Sequence, residues 1–267
     1  MGPLFFQVAQ VTIIQFFSVF GVFFIFGFIL SEIQGLILKN YSRSIGWRGI
    51  LWTAWLGTPV HEYSHALTAL LFRHKISEVA LFSPDALTGE LGHVSHSYNR
   101  RNLYQSVGNF FIGLAPLIIG PLLLVFLLYA LVPNGREIFT YLSGNHESWP
   151  ALGGAVKDFL IRLFSPENLM NYRFWFFLYI SFAIASHLAP SKNDRRDALN
   201  GGLLIVAMLF LFNIFALLRH WNIAEYSSSF FNFFAGLAAV YIYVLMISFT
   251  HLLVSALVLR PWRRKQP

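Results

Sequence analysis

His61, Glu62 and His65 form an H-E-x-x-H motif whose residue types and spacing suit metal chemistry. Two imidazoles four residues apart lie one above the other on the same helical face, so one ion can bind both. Glu62 then flanks the ion without binding it. A carboxylate in that place can take a proton from water at the ion and pass it to a leaving amine, which is the chemistry of peptide hydrolysis.

The motif lies in an apolar stretch, because Glu62 is the only Asp, Glu, Lys or Arg between Arg48 and Arg73. A carboxylate at membrane depth is energetically costly and usually marks a functional site. The alternative is that the two histidines and Glu62 only pair with polar groups on neighbouring helices. We favour the functional interpretation because of this cost.

The composition predicts an all-α polytopic membrane protein. The chain is 56% hydrophobic and 18% aromatic, and its mean hydropathy is +0.59. A helix needs about 20 apolar residues to cross a bilayer, and we predict about six transmembrane helices. The predicted spans are roughly residues 9–31, 49–72, 106–132, 173–190, 197–218 and 228–259.

These spans leave no room for a separate soluble domain, so residues 1–267 are predicted to form one membrane-embedded domain. Its core is about 49–215, with accessory helices at 9–31 and 228–259. The first span lacks a basic start and a small-residue cleavage site, so we interpret it as a retained helix. The chain has no cysteine, which excludes thiolate metal ligands, disulfides and a cysteine nucleophile.

The net charge of +7 is distributed over short loops and a basic tail at 260–265, a pattern that fits membrane orientation better than nucleic-acid binding. We therefore predict a lipid bilayer, and no nucleic acid, as a partner. The spans predict a multi-pass protein of the cell membrane. The side of the membrane that carries both termini has a modest excess of Lys and Arg over the other side, which predicts that both termini are in the cytoplasm.

The segment after the motif changes character. Residues 76–82 and 90–98 have strand-like composition, and the Ser-Pro-Asp turn at 83–85 with Gly89 separates them. We predict a small β-hairpin on the cytoplasmic side, whose exposed edge can hold an extended peptide by strand addition. His93 and His96 within it are interpreted as surface or packing residues, with a second metal site as the less favoured alternative.

A catalytic zinc site normally has three protein ligands and one open position, so two histidines are not sufficient. Asp194 and Asp197 stand in a polar break between two apolar runs. We predict this break on the cytoplasmic side of the membrane, where we also place the motif. Either aspartate can supply the third ligand. The equally weighted alternative is that both are solvated charges paired with Arg195 and Arg196.

Taken together, these motifs resemble the site-2 proteases, which are intramembrane zinc metalloproteases. The shared features are the H-E-x-x-H helix, the hairpin, a Gly- and Pro-containing third helix and a later Pro-to-Asp segment, over roughly residues 49–215. The family motif reads approximately Asn-x-x-Pro and then Leu-Asp-Gly, whose aspartate completes the zinc site. Here His187 precedes Pro190 in place of that Asn, and Asn200 replaces that aspartate.

The resemblance implies Zn²⁺ bound by His61, His65 and Asp194, since Asp194 best matches the family aspartate in distance from the proline; Asp197 is the alternative. It implies Glu62 as the catalytic residue. Asn109 in the third span is a candidate donor to the substrate backbone or oxyanion. The implied function is a zinc-dependent endopeptidase that cuts transmembrane protein substrates in or near their membrane segments.

Two other functions stay open. A membrane metal-ion transporter would use the same ligands, but that class usually has ligands at several depths and His-rich loops. A catalytically inactive metal-binding scaffold would grip membrane partners, but it has no use for Glu62.

Overall fold

The computed structural model describes residues 2–144, 149–219, 221 and 223–262. Its helices are α1 (Gly2–Ser44), α2 (Trp47–Leu71), α3 (Leu103–Leu131), α4 (Gly135–Ser143), α5 (Trp149–Leu163), α6 (Pro166–Leu169), α7 (Tyr172–Ala185), α8 (Lys192–Leu218) and α9 (Ile223–Val258). Strands β1 (Lys75–Ala80) and β2 (His93–Ser97) lie between α2 and α3, and a short 3-10 turn, Arg260–Trp262, follows α9. The basic residues after 262, which the predicted orientation counts, lie outside the described residues.

Within the described residues, four helical segments are long and apolar enough to cross a membrane: Phe5–Ser44, Leu103–Leu131, Lys192–Leu218 and Ala238–Val258. They coincide with four of the six predicted spans. The predicted span 49–72 matches α2, which carries the polar motif in its apolar sequence. The predicted span 173–190 is helical only as far as Ala185, because α7 has 14 residues and residues 186–190 form a turn. The mainly helical architecture is therefore confirmed, whereas the count of six spans is not.

Helix α3 lies at the centre of the bundle, where it packs against α2, α7 and α8. Small residues allow this close packing, because a methyl group on Gly113 would overlap the backbone oxygen of Asp194 in α8. A methyl group on Gly201 would likewise overlap the backbone nitrogen of Phe110. Helix α3 can therefore bring its backbone directly against the first turns of α8.

The two helices predicted to be accessory, α1 and α9, pack against each other, and α1 also packs against α8. Polar contacts join them to their neighbours: Asn213 of α8 donates to the Thr12 hydroxyl of α1 over 2.9 Å. Such interhelical hydrogen bonds satisfy polar groups that have no water partner inside a bundle.

The predicted hairpin is confirmed as a two-stranded antiparallel sheet, with Val79 opposite Val94 and a bulge between Ile76 and Glu78. The second strand begins at His93 rather than at residue 90. The three residues before it belong to the loop, where the Asp85 amide donates to the Glu90 carbonyl over 2.8 Å. Gly89 adopts a φ of 76°, which favours glycine, and so lets the loop turn back.

Candidate metal centre

Helix α2 presents the three motif residues to one cavity. His61 and His65 lie one turn apart, and Glu62 and His65 are both buried, with 8% and 6% of their surfaces exposed. The helix continues through Pro59, which the sequence places just before the motif. The spacing predicted for a shared ion is therefore present on a continuous helix.

Two backbone carbonyls determine that both histidines carry a hydrogen on Nδ1. The Nδ1 atom of His61 lies 2.6 Å from the carbonyl oxygen of His187, and Nδ1 of His65 lies 2.8 Å from that of Ile112. A carbonyl oxygen can only accept, so both Nδ1 atoms must carry the hydrogen and donate. In the neutral rings, both Nε2 atoms then present bare lone pairs, which is the form that binds metals.

These two lone pairs converge with a carboxylate. The Nε2 atoms of His61 and His65 lie 3.1 Å apart. Asp194 places Oδ2 3.4 Å from Nε2 of His61 and Oδ1 3.2 Å from Nε2 of His65. Two lone pairs and a negative charge at these distances repel one another unless a cation lies between them.

The distances between the three donor atoms suit a shared metal ion. Charge-assisted N–H···O bonds are about 2.7–2.9 Å long, and both contacts to Asp194 are longer than that. A tetrahedral ion with ligands at about 2.0–2.1 Å spaces its ligand atoms about 3.3 Å apart. Among the described residues, His61, His65 and Asp194 form the one group of His, Asp and Glu side chains with donor atoms close enough to hold an ion.

Asp194 reaches this group because of the way α8 begins. Ser191 is the N-cap: its hydroxyl accepts the Asp194 amide over 3.2 Å, and its own amide donates to Oδ2 of Asp194 over 2.7 Å. This reciprocal capping box turns the carboxylate back toward the helix start. Helix α8 therefore begins at Lys192, inside the predicted polar break and before the predicted span 197–218.

The other candidate aspartate has a different place. Asp197 lies one turn further along α8 and lines the same cavity, but its carboxylate is not part of the close group. Of the two aspartates left open by the sequence, the structure brings Asp194 to the histidines.

The cavity has a volume of about 720 Å³. The hairpin loop closes one side of it, and Gly92 approaches so closely that a methyl group there would lie 3.0 Å from Cγ of Glu62. Among the residues that the structure describes, no Lys or Arg lines the cavity, whereas four carboxylates do: Glu62, Glu90, Asp194 and Asp197. This negative lining raises the local concentration of cations.

Comparisons with known proteins add no relative. No family model, curated protein or solved structure matches this chain. The likeness to the site-2 proteases therefore rests on the motifs alone and stays a prediction.

The remaining candidates lie apart from the close group. Asn109 is buried in α3 and is not among the residues that line the cavity, so its contact with substrate stays a prediction. In the hairpin, His93 contacts Glu78 and Glu90, and His96 contacts His74, which agrees with packing roles.

Sequence reasoning missed the backbone contribution of His187 and Ile112, whose carbonyls orient the two histidines. No side-chain pattern reports a carbonyl direction, so the sequence holds no signal for this role. The capping box was detectable, because Ser191 stands three residues before Asp194.

Proposed function

We propose that this chain is a zinc-dependent intramembrane endopeptidase that cuts transmembrane protein substrates. The observation that carries the proposal is the convergence of two bare Nε2 lone pairs and the Asp194 carboxylate at 3.1–3.4 Å, beside a buried glutamate. Two histidines and one carboxylate form a ligand set typical of hydrolytic zinc sites, which retain an open position.

The chain's own residues supply the remaining chemistry. Zinc, when bound, provides the open position and polarises what occupies it. Glu62 is next to the ligand His61 in sequence and lines the cavity, but it is not part of the close donor group. It removes a proton from the water that attacks the substrate carbonyl carbon, and it gives the proton to the amide nitrogen as the C–N bond breaks.

The donor set and the spacing support zinc as the metal. Imidazole nitrogens and a carboxylate suit zinc, whereas Mg²⁺ and Ca²⁺ take six or more oxygen ligands. The hydrogen bonds from the two Nδ1 atoms to carbonyls resemble the outer contacts that orient zinc-binding histidines.

We place the chain in the cell membrane as a multi-pass protein with both termini in the cytoplasm, in which α2 and α7 pack beside α3. The four long apolar helices support a membrane location. A helical substrate hides its peptide bonds in internal hydrogen bonds, so a cut segment must unwind. The hairpin beside the cavity offers backbone groups that can hold such an extended segment by strand addition.

Turnover separates this function from transport and from an inactive scaffold. The test uses full-length protein in liposomes with a panel of single-span model proteins, in the zinc-loaded form, after chelation and after zinc is restored. We expect peptide products by mass spectrometry with zinc, none after chelation, and recovery on restoration. Zinc uptake into the liposomes without any cleavage would contradict the proposal and favour transport.

A further inference from the structure

A chain of hydrogen bonds connects α1 and α9 to the turn beside the metal centre. The Tyr41 hydroxyl lies 3.0 Å from Nε2 of His251, whose Nδ1 lies 2.7 Å from Oγ of Ser186. Ser186 in turn donates to the Phe182 carbonyl over 2.6 Å. Ser186 and His251 are 1% and 2% exposed, so the chain is closed to solvent at its centre.

The last acceptor sets the direction of every bond. The Phe182 carbonyl can only accept, so the Ser186 hydroxyl donates to it and must accept from Nδ1–H of His251. The neutral ring then accepts at Nε2, and the Tyr41 hydroxyl donates to it. Ser186 is thus not activated as a nucleophile, because its proton points at the carbonyl and away from the histidine.

The chain ends next to the carbonyl that orients a metal ligand. Helix α7 ends at Ala185, so Ser186 and His187 lie in the turn that leads to α8. The carbonyl of His187 accepts Nδ1–H of His61 over 2.6 Å. Outside the helix, the direction of this carbonyl depends on the contacts that hold the turn.

The ring of His251 is held in place on its other side. It stacks on Phe182 with ring centroids 4.7 Å apart and planes inclined by 4°. One residue of α9 therefore holds both the last turn of α7 and the C-cap residue Ser186. Neither α1 nor α9 carries any member of the close donor group.

We infer that His251 is a positioning residue for the metal centre, acting through Ser186 and the His187 carbonyl to hold His61 in its metal-binding orientation. The inference rests on the proposed metal site and not on the peptidase activity. Removing a group in direct contact with a metal-binding histidine changes metal affinity by about 10- to 100-fold, so we expect a residue that acts through such a group to lie at the lower end of this range. The two helices predicted to be accessory therefore support the metal site from outside it.

The test measures zinc affinity by chelator competition and the visible spectrum of bound Co²⁺, on the purified full chain in detergent. His251→Phe keeps a ring against Phe182 but removes both hydrogen bonds. Tyr41→Phe removes only the hydroxyl that donates to His251, and it replaces the first variant in the test if His251→Phe does not fold. We expect about tenfold weaker zinc binding and an altered Co²⁺ spectrum in His251→Phe, with a smaller change of the same sign in Tyr41→Phe.

Thr12→Val is the matched control, because it removes another buried interhelical hydrogen bond, the one from Asn213, at a site away from the centre. It should lower the melting temperature and leave zinc affinity unchanged. If folded His251→Phe has wild-type zinc affinity and Co²⁺ spectrum, the role of His251 is overturned but the metal site is not. If His251→Phe does not fold, the same result in Tyr41→Phe leads to the same conclusion. Absence of zinc binding by the wild type would overturn the metal site itself.

Discussion

The Nε2 atoms of His61 and His65 lie 3.1 Å apart. In the neutral rings neither Nε2 atom carries a hydrogen, because Nδ1 of the same ring carries it and donates it to a backbone carbonyl. Such an arrangement is unfavourable by itself and becomes favourable around a cation. The two carbonyls come from α3 and from the turn after α7. Two separate segments therefore hold two neighbouring side chains of one helix ready for an ion.

Glu62→Gln should separate catalysis from metal binding. The substitution keeps the size of the side chain but removes the proton acceptor, and Glu62 is not in the close donor group. We expect zinc content close to wild type and cleavage of model substrates reduced by about 100-fold or more. Metal analysis and product yield on the same sample provide the measurement. Cleavage at the wild-type rate would remove Glu62 from the mechanism.

Gly113→Ala should weaken the metal site through packing alone. The added methyl group would overlap the backbone oxygen of Asp194 and push the start of α8 away from α3. We expect lower zinc affinity and a lower melting temperature. Gly154→Ala in α5 is the control, since a methyl group there has no atom within 4 Å. Equal zinc affinity in both variants would contradict the close α3–α8 contact.

Gly92→Ala should disturb catalysis more than metal binding. A methyl group there would lie 2.7 Å from the Ala80 carbonyl oxygen and 3.0 Å from Cγ of Glu62, so the loop or the carboxylate must shift. We expect slower cleavage with zinc retained. Gly35→Ala is the control. Gly35 lines the same cavity, but a methyl group there has no atom within 4 Å, so this variant should behave as wild type. Loss of activity in the control instead would show that cavity volume, and not the loop contact, is what matters.

The contact between His74 and His96 should make the protein less stable in acid. His74 donates from Nε2 to the Gln105 carbonyl over 2.8 Å, so its Nδ1 accepts Nδ1–H of His96 over 3.0 Å. Burial and the neighbouring His74 lower the pKa of His96 from 6.5 to about 4. The folded protein therefore resists a proton that the unfolded chain binds. The stability contributed by neutral His96 is fully present above pH 6.5 and is lost as the pH falls toward 4.

Melting temperatures of wild type and His96→Gln between pH 7.5 and 4.5 measure this effect. The variant lacks the titrating ring, and protonation of the metal ligands affects both proteins alike. We expect the wild type to lose more stability than His96→Gln over this range. Parallel curves would show that His96 titrates normally.

The sequence predicted the elements that a local pattern encodes. The four-residue spacing of His61 and His65 defined the shared face, and strand-like composition on both sides of a Ser-Pro-Asp turn defined the hairpin. Both depend on neighbours along the chain. The choice between Asp194 and Asp197 depended on where α8 begins, which the capping box at Ser191 decides.

Other features required the three-dimensional structure. The His187 carbonyl and the His251 contact join residues far apart in sequence, and no periodicity encodes such meetings. The membrane-span count was uncertain for a related reason. Helix α2 has 25 residues, but its polar motif keeps its composition from matching that of an ordinary membrane span.

Zinc content per chain in wild type, Asp194→Asn and Asp197→Asn tests the central claim most directly. Each substitution removes one negative charge from the same cavity, so the pair separates ligation from general electrostatics. We predict about one zinc per wild-type chain, nearly the same in Asp197→Asn, and loss of zinc in Asp194→Asn. Folded wild type without zinc, or equal zinc in Asp194→Asn, would contradict the proposed metal centre.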